Sequence, residues 1–282
     1  MSSLADDTRW LDATAQAELV ASGKVTPLEM VNAAIERVER YDGALNALTY
    51  RWFEAARELA SSSALPDGPF RGVPYLLEDL YAAEAGKPLS NGSKAYKAAD
   101  YVSSEDTTLV SRYKAAGLIS IGRSNSPEFG SVPVTEPEAW GPTRNPWDLS
   151  RTPGGSSGGS ASAVAAGIVP IAHASDGGGS IRIPAACCGL VGLKVSQGRI
   201  SMGPSRDESN LGVEHCVSRS VRDSARLLDA THGPGVGDTV IAAPPARPYE
   251  DELGHDPGRL RIGMLDRNPQ GNALHNDCVL AV

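Results

Sequence analysis

Apolar stretches with helical spacing alternate along the chain with short strand-like apolar runs. Asp12 stands before an apolar-periodic stretch that ends at Gly23, which predicts a capped helix. Thr26-Pro27-Leu28-Glu29 combines a capping box with proline at the first helical position, and opens a second helix to about Tyr41. Asn46 to Tyr50 reads as a strand, and Trp52 to Ser61 as a helix ahead of a loop with Pro and Gly. Asp106 to Ala116 reads as a helix closed by Gly117, with Leu118-Ile119-Ser120-Ile121 as the strand after it. Ser157 begins a helix of small residues through Ala166, before the strand Val169 to His173. Ser220 caps another helix to about Ala230, Gly233 to Pro257 reads as a Pro/Gly-rich surface connection, and Leu260 to Leu265 is strand-like. Helices alternating with short strands predict a layered α/β domain.

Composition narrows the class. The 282 residues suffice for a sizeable core, and 41% apolar with 21% charged residues marks a folded chain. Lys plus Arg total 26 against 34 Asp plus Glu, and the net charge of −8 argues against nucleic-acid binding through a basic face. No 18-residue apolar run predicts a membrane span. The acidic stretch Met1 to Asp7 lacks the apolar core of a secretory signal. Cys187, Cys188, Cys216 and Cys278 show no C-x-x-C spacing, which suits a reducing cytoplasm and gives no metal site. Cys187 and Cys188 are expected to be buried packing residues.

Candidate chemistry concentrates between Pro153 and Ala185. Ser156 follows Gly154-Gly155 and Ser180 follows Gly177-Gly178-Gly179, and the two serines stand 24 positions apart. A glycine run before a serine lets consecutive backbone N–H groups converge on one point, as an oxyanion requires. A phosphate loop is excluded because no lysine follows Gly159 or Gly179 in register, and neither run gives the dinucleotide fingerprint. Gly154-Gly155-Ser156-Ser157-Gly158 does satisfy G-x-S-x-G, so an α/β-hydrolase with Ser156 as nucleophile is a rival reading, with five histidines downstream. That elbow needs a buried strand before the serine, whereas Asn145 to Pro153 reads as a loop, and the Ser180 motif is left unexplained.

The two serine motifs resemble those of the amidase signature family. The resemblance extends to Gly72-Val73-Pro74-Tyr75-Leu76-Leu77-Glu78-Asp79, Gly122-Arg123-Ser124-Asn125, Thr143-Arg144-Asn145-Pro146-Trp147 and Gly189 to Lys194, and so covers nearly the whole chain. It implies a mixed central sheet flanked by helices on both faces, in a single domain over residues 1–282 that is incomplete at its C-terminus. It implies Ser180 as nucleophile, Ser156 as bridging serine after a cis Gly155–Ser156 bond, and an oxyanion hole from the N–H groups of Gly177, Gly178, Gly179 and Ser180. Asp176 and Arg182 are expected to fix the nucleophile loop, and Ser131 to lie near the reacting carbonyl. His173 is expected to be structural.

One position departs from the pattern. The family places its catalytic lysine just before the aspartate of the Gly72–Asp79 segment, where this chain has Glu78. Lys87 and Lys94 are out of register beyond Asp79. A glutamate is a far weaker base than a neutral lysine unless burial raises its pKa, so amide hydrolysis is expected to be impaired. The expected substrate is a small-molecule linear or cyclic amide, with no cofactor and no metal. Within the family, Glu136 to Gly141 and Asn145-Pro146-Trp147 resemble segments of 6-aminohexanoate cyclic-dimer hydrolases. An inactive fragment and an amidotransferase A-type subunit are the alternatives, and an incomplete sheet would favour self-association, such as a homodimer.

Overall fold

A computed structural model describes residues 3–204, 211–265 and 267–281. The chain divides into two units, Met1–Asp251 and Glu252–Val282.

The first unit is built on a six-stranded mixed sheet. Its strands are β1 (Leu48–Arg51), β2 (Pro74–Glu78), β3 (Ile119–Ser124), β4 (Ile171–Asp176), β5 (Val191–Gly192) and β6 (Val213–Ser218). Their order is β1-β3-β2-β4-β6-β5. The central neighbours β3, β2 and β4 run parallel, while β1, β6 and β5 pair antiparallel. Helices α1 (Leu4–Asp7), α2 (Ala13–Ala21), α3 (Pro27–Leu45), α4 (Phe53–Ser61), α5 (Lys94–Ala98), α6 (Thr108–Ala115), α7 (Gly158–Ala165), α8 (Arg182–Cys188) and α9 (Val221–Thr231) complete it.

Side-chain alternation along the strands divides the core in two. Leu76, Ala172, Ala174 and Val217 pack with Val31, Ile35 and Val38 of α3, Ala56 of α4 and Ala163 and Val164 of α7. Their neighbours Tyr75, Leu77, Ile171 and Cys216 pack on the opposite side with Ala13 and Ala17 of α2, Leu109 and Tyr113 of α6 and Leu227 of α9. The sheet is therefore covered by helices on both faces, as expected.

The expected helices form with shifted ends. Asp12 caps α2 through the Ala15 N–H, and α3 carries the full Thr26–Glu29 capping box but runs on to Leu45. The expected strands at 46–50, 118–121 and 169–173 appear as β1, β3 and β4, each shifted toward its C-terminal side. Strands β2 and β6 are additions. All their residues are buried, so they lack the polar alternation that marks a half-exposed strand.

Two buried polar groups tie distant segments together. The Asp223 carboxylate at the start of α9 accepts from Ala13 N (2.7 Å), Thr14 N (2.9 Å) and Thr14 Oγ1 (2.8 Å) at the start of α2. The fully buried Arg37 of α3 donates to Ile168 O, Ala5 O and Thr8 Oγ1.

Among its described residues, the second unit holds one short α-helix, α10 (Asn276–Leu280). Leu260 to Leu265 forms no strand, contrary to expectation, and these residues are exposed. Apolar character alone does not make a strand: the segment has no ladder partner among the described residues to take its backbone groups. Most of 233–257 is irregular, as its proline and glycine content predicts. No helix among the described residues is long and apolar enough to cross a membrane.

Asp223→Ala leaves two backbone N–H groups and one hydroxyl without their acceptor. It is expected to lower the unfolding free energy by about 3 kcal/mol, with Asp223→Asn less damaging. Urea midpoints at a constant m-value check this.

Candidate active site

The parallel strands β3, β2 and β4 end side by side, and the candidate residues gather at those ends. Glu78 is the last residue of β2 and Asp176 the last of β4, while Ser126 lies two residues past β3. The glycine-rich segment between 153 and 160 crosses the same edge and enters α7. Its approach is close. A Cβ on Gly159 would lie 2.3 Å from Asn125 N, and one on Gly155 would lie 2.6 Å from Val134 N. Only glycine lets this backbone pack so tightly. The Gly155–Ser156 peptide bond is cis.

Glu78 is completely buried. Its Oε1 accepts from Ser156 Oγ (3.3 Å) and Ser126 Oγ (3.2 Å), and its Oε2 from Ser175 Oγ (2.9 Å). Burial raises its pKa from the ordinary 4.5 to about 7, and His173 and the surrounding hydroxyls offset only part of that effect. Its backbone is also anchored. The Glu78 N–H donates to His173 Nδ1 (3.4 Å), and the Glu78 carbonyl accepts from the buried Arg123 Nη1 (2.9 Å).

Asp176 organises the loop that carries Ser180. Its carboxylate accepts from Gly179 N (2.7 Å), Ile181 N (3.2 Å) and Arg182 N (3.4 Å), and forms a two-bond pair with the Arg182 guanidinium, each bond 2.9 Å. Burial alone would raise the Asp176 carboxyl, but Arg182 and the loop N–H groups outweigh it and hold the carboxyl below its ordinary range. The loop is joined to the other serine segment by the Ser157 N–H, which donates to Ser180 O (3.3 Å).

Ser156, Ser180, Ser175 and Gly177 line one cleft of about 440 Å³, whose other walls include Leu80, Phe129 and Glu214. Of the expected site residues, Ser156, Ser180, Glu78, Asp176 and Arg182 are brought together here. The Gly179 N–H is held by Asp176, which leaves the N–H groups of Gly177, Gly178 and Ser180 without a hydrogen bond among the described residues. Ser131 departs from expectation: it is exposed and donates to Glu128 O (2.9 Å). The turn before it, with Phe129 and Gly130 at positive φ, presents Gly130 to Ser156 instead. Lys87 lies over the Trp52 ring and Lys94 pairs with Glu138, so neither reaches Glu78. Cys188 is buried, and burial pushes its thiol up to about 12, but Cys187 is exposed, against expectation, on the outer side of α8.

Ser126, Ser175 and Glu214 were not foreseen. Ser175 directly precedes Asp176 on a strand, and Ser126 follows the Gly122–Asn125 motif. Their proximity to a recognised motif is the signal available in the sequence. Among the described residues, no group of three or more His, Cys, Asp and Glu could hold a metal ion.

A cis-linked serine beside a glycine-loop serine, at the ends of parallel strands in a helix-covered mixed sheet, defines the class of protein. The family model described as Amidase matches residues 29–282. The 6-aminohexanoate-cyclic-dimer hydrolase of Paenarthrobacter ureafaciens is 47% identical over 277 residues, covering 96% of this chain and 56% of that protein. A putative amidase of Synechocystis sp. is 40% identical over 264 residues, covering 89% of this chain and 51% of that protein. The solved structure of 6-aminohexanoate cyclic dimer hydrolase superposes with a TM-score of 0.92 at 46% identity, covering 97% of this chain and 57% of the other. The chain belongs to the amidase signature family. It spans a little over half the length of these relatives.

The raised pKa of Glu78 has a sign that can be tested. The folded state holds the Glu78 proton up to about pH 7, whereas the unfolded chain releases it near 4.5. The stabilisation from this proton is complete below about pH 4.5 and is lost as pH rises through 7. Glu78→Gln, which does not titrate, should therefore gain about 3 kcal/mol on the natural chain between pH 4.5 and pH 8.5. Denaturation midpoints for both proteins across that range check this, and a constant difference refutes it.

Proposed function

We propose that the chain carries the serine site of an amidohydrolase that cleaves a small linear or cyclic carboxylic amide through an acyl-enzyme on Ser180. The observation that carries this reading is the Ser156 hydroxyl donating to the buried Glu78 carboxylate at the edge of the cleft that Ser180 lines. The similarity to 6-aminohexanoate-cyclic-dimer hydrolases supports an amide with a short aliphatic chain as substrate.

In this mechanism Ser180 Oγ attacks the amide carbonyl. Its proton passes to Ser156 Oγ as the Ser156 proton moves to Glu78. The developing oxyanion is held by the N–H groups of Gly177, Gly178 and Ser180. Glu78 returns the proton through Ser156 to the leaving amine, and water then releases the acid from Ser180. Asp176 and Arg182 act as positioning residues, because they hold the loop that presents these donors.

Glu78 limits the rate. It accepts a proton only as a carboxylate, so acylation rises with pH through about 7. Even ionised, it is a far weaker base than the neutral lysine that the family pattern places there. Turnover is low for that reason.

A fluorophosphonate probe, followed by peptide mapping, tests the reading on the natural chain and on Glu78→Lys. Labelling is expected at Ser180, slow in the natural chain and at least tenfold faster in Glu78→Lys. Labelling at Ser156 would support the α/β-hydrolase reading. No labelling in either protein would leave the site without nucleophilic chemistry.

A further inference from the structure

Two carboxylates line the cleft and a third, Glu78, lies buried behind Ser156 and Ser175, and the three are satisfied in different ways. Asp176 is neutralised by Arg182 and bonded to three loop N–H groups. Glu78 is ringed by hydroxyls. Glu214, on β6, has neither arrangement. Its side chain is only 4% exposed, yet among the described residues no hydrogen bond reaches its carboxylate. The basic group facing it is His173, whose Nε2 lies 3.9 Å from Glu214 Oε2, too far for a hydrogen bond. That Nε2 is itself buried without a hydrogen-bond partner.

His173 is held on its other side, where its Nδ1 accepts the Glu78 N–H. No Lys or Arg among the described residues lines the cleft. An isolated buried carboxylate is costly unless something pairs with it, and the open side of Glu214 is the cleft itself. Leu80, Phe129, Met202 and Val213 give the same cleft apolar walls. This combination suits an aliphatic arm that ends in a positive charge.

We propose that Glu214 is a specificity residue that receives an ammonium group at the end of an aliphatic arm of the amide substrate. The inference rests on the reading of this cleft as an amide site. An ω-amino amide would lie with its amide at Ser180 and its ammonium at Glu214, where a charge-assisted hydrogen bond replaces the missing partner.

The test is equilibrium binding by calorimetry at pH 7.5, with 6-aminohexanamide and its uncharged counterpart heptanamide. The natural chain is expected to bind 6-aminohexanamide about tenfold more tightly, a preference of the size that one charge-assisted hydrogen bond confers. Glu214→Gln is expected to bring the ratio close to one. Glu214→Asp, which keeps the charge, is expected to retain part of the preference. Equal affinities in the natural chain overturn the role of Glu214 and leave the amide site standing. A preference that survives in Glu214→Gln places the ammonium elsewhere and also overturns it. If neither amide binds, the role of Glu214 and the amide reading fall together. Ser180 labelling on the same samples reports separately whether the nucleophile works. Equal affinities on the natural chain overturn the role of Glu214 even if a variant does not fold.

Discussion

The site depends on the parallel alignment of β3, β2 and β4. Parallel neighbours finish at the same edge of a sheet, so whatever follows each strand is delivered to one place. Here the edge receives Ser126, Glu78 and Asp176 from three separate stretches of sequence. The antiparallel β6 enters at the same edge and brings Glu214 with it. The glycine-rich segment can join them only because Gly155 and Gly159 have no side chain where neighbouring backbone already lies. The chemistry is thus set by strand direction first and by side-chain identity second.

The same edge gives its acidic groups opposite characters. Asp176 meets a guanidinium and several N–H donors, and its charge is favoured. Glu78 is fully buried, the desolvation outweighs His173 and the hydroxyls around it, and its proton is favoured. Two carboxylates close in space thereby take different work: one a permanently charged brace for the nucleophile loop, the other a group poised to exchange a proton near neutrality. A lysine at position 78 would face the same burial with its pKa shifted the other way, since desolvation lowers the pKa of a base and leaves more of it neutral and able to accept a proton near pH 7.

Much of this was legible in the sequence for local reasons. The caps at Asp12, Thr26 and Ser220 use side chains and acceptors within a few residues of each other, so their helices could be read directly. The two serines and Glu78 stood out because glycine runs and motif spacing are local as well. Strands β2 and β6 were not legible, since complete burial removes the alternation that reveals a strand. Ser131 was misplaced because the turn at Phe129 and Gly130 redirects the chain just before it. Leu260 to Leu265 had a strand's composition without a strand's partner. Ser126, Ser175 and Glu214 matter through contacts between strands, which a single line of sequence does not display.

The bond network at Asp223 has a consequence for synthesis on the ribosome. The acceptor for the first N–H groups of helix α2 is made about 210 residues after them. At translation speeds of roughly 5–20 residues per second, that is a wait of about ten to forty seconds. During it, the apolar face of α2 has neither its cap from α9 nor Leu227 to pack against. Over that interval the start of α2 lacks the buried acceptor that fixes it in the folded unit.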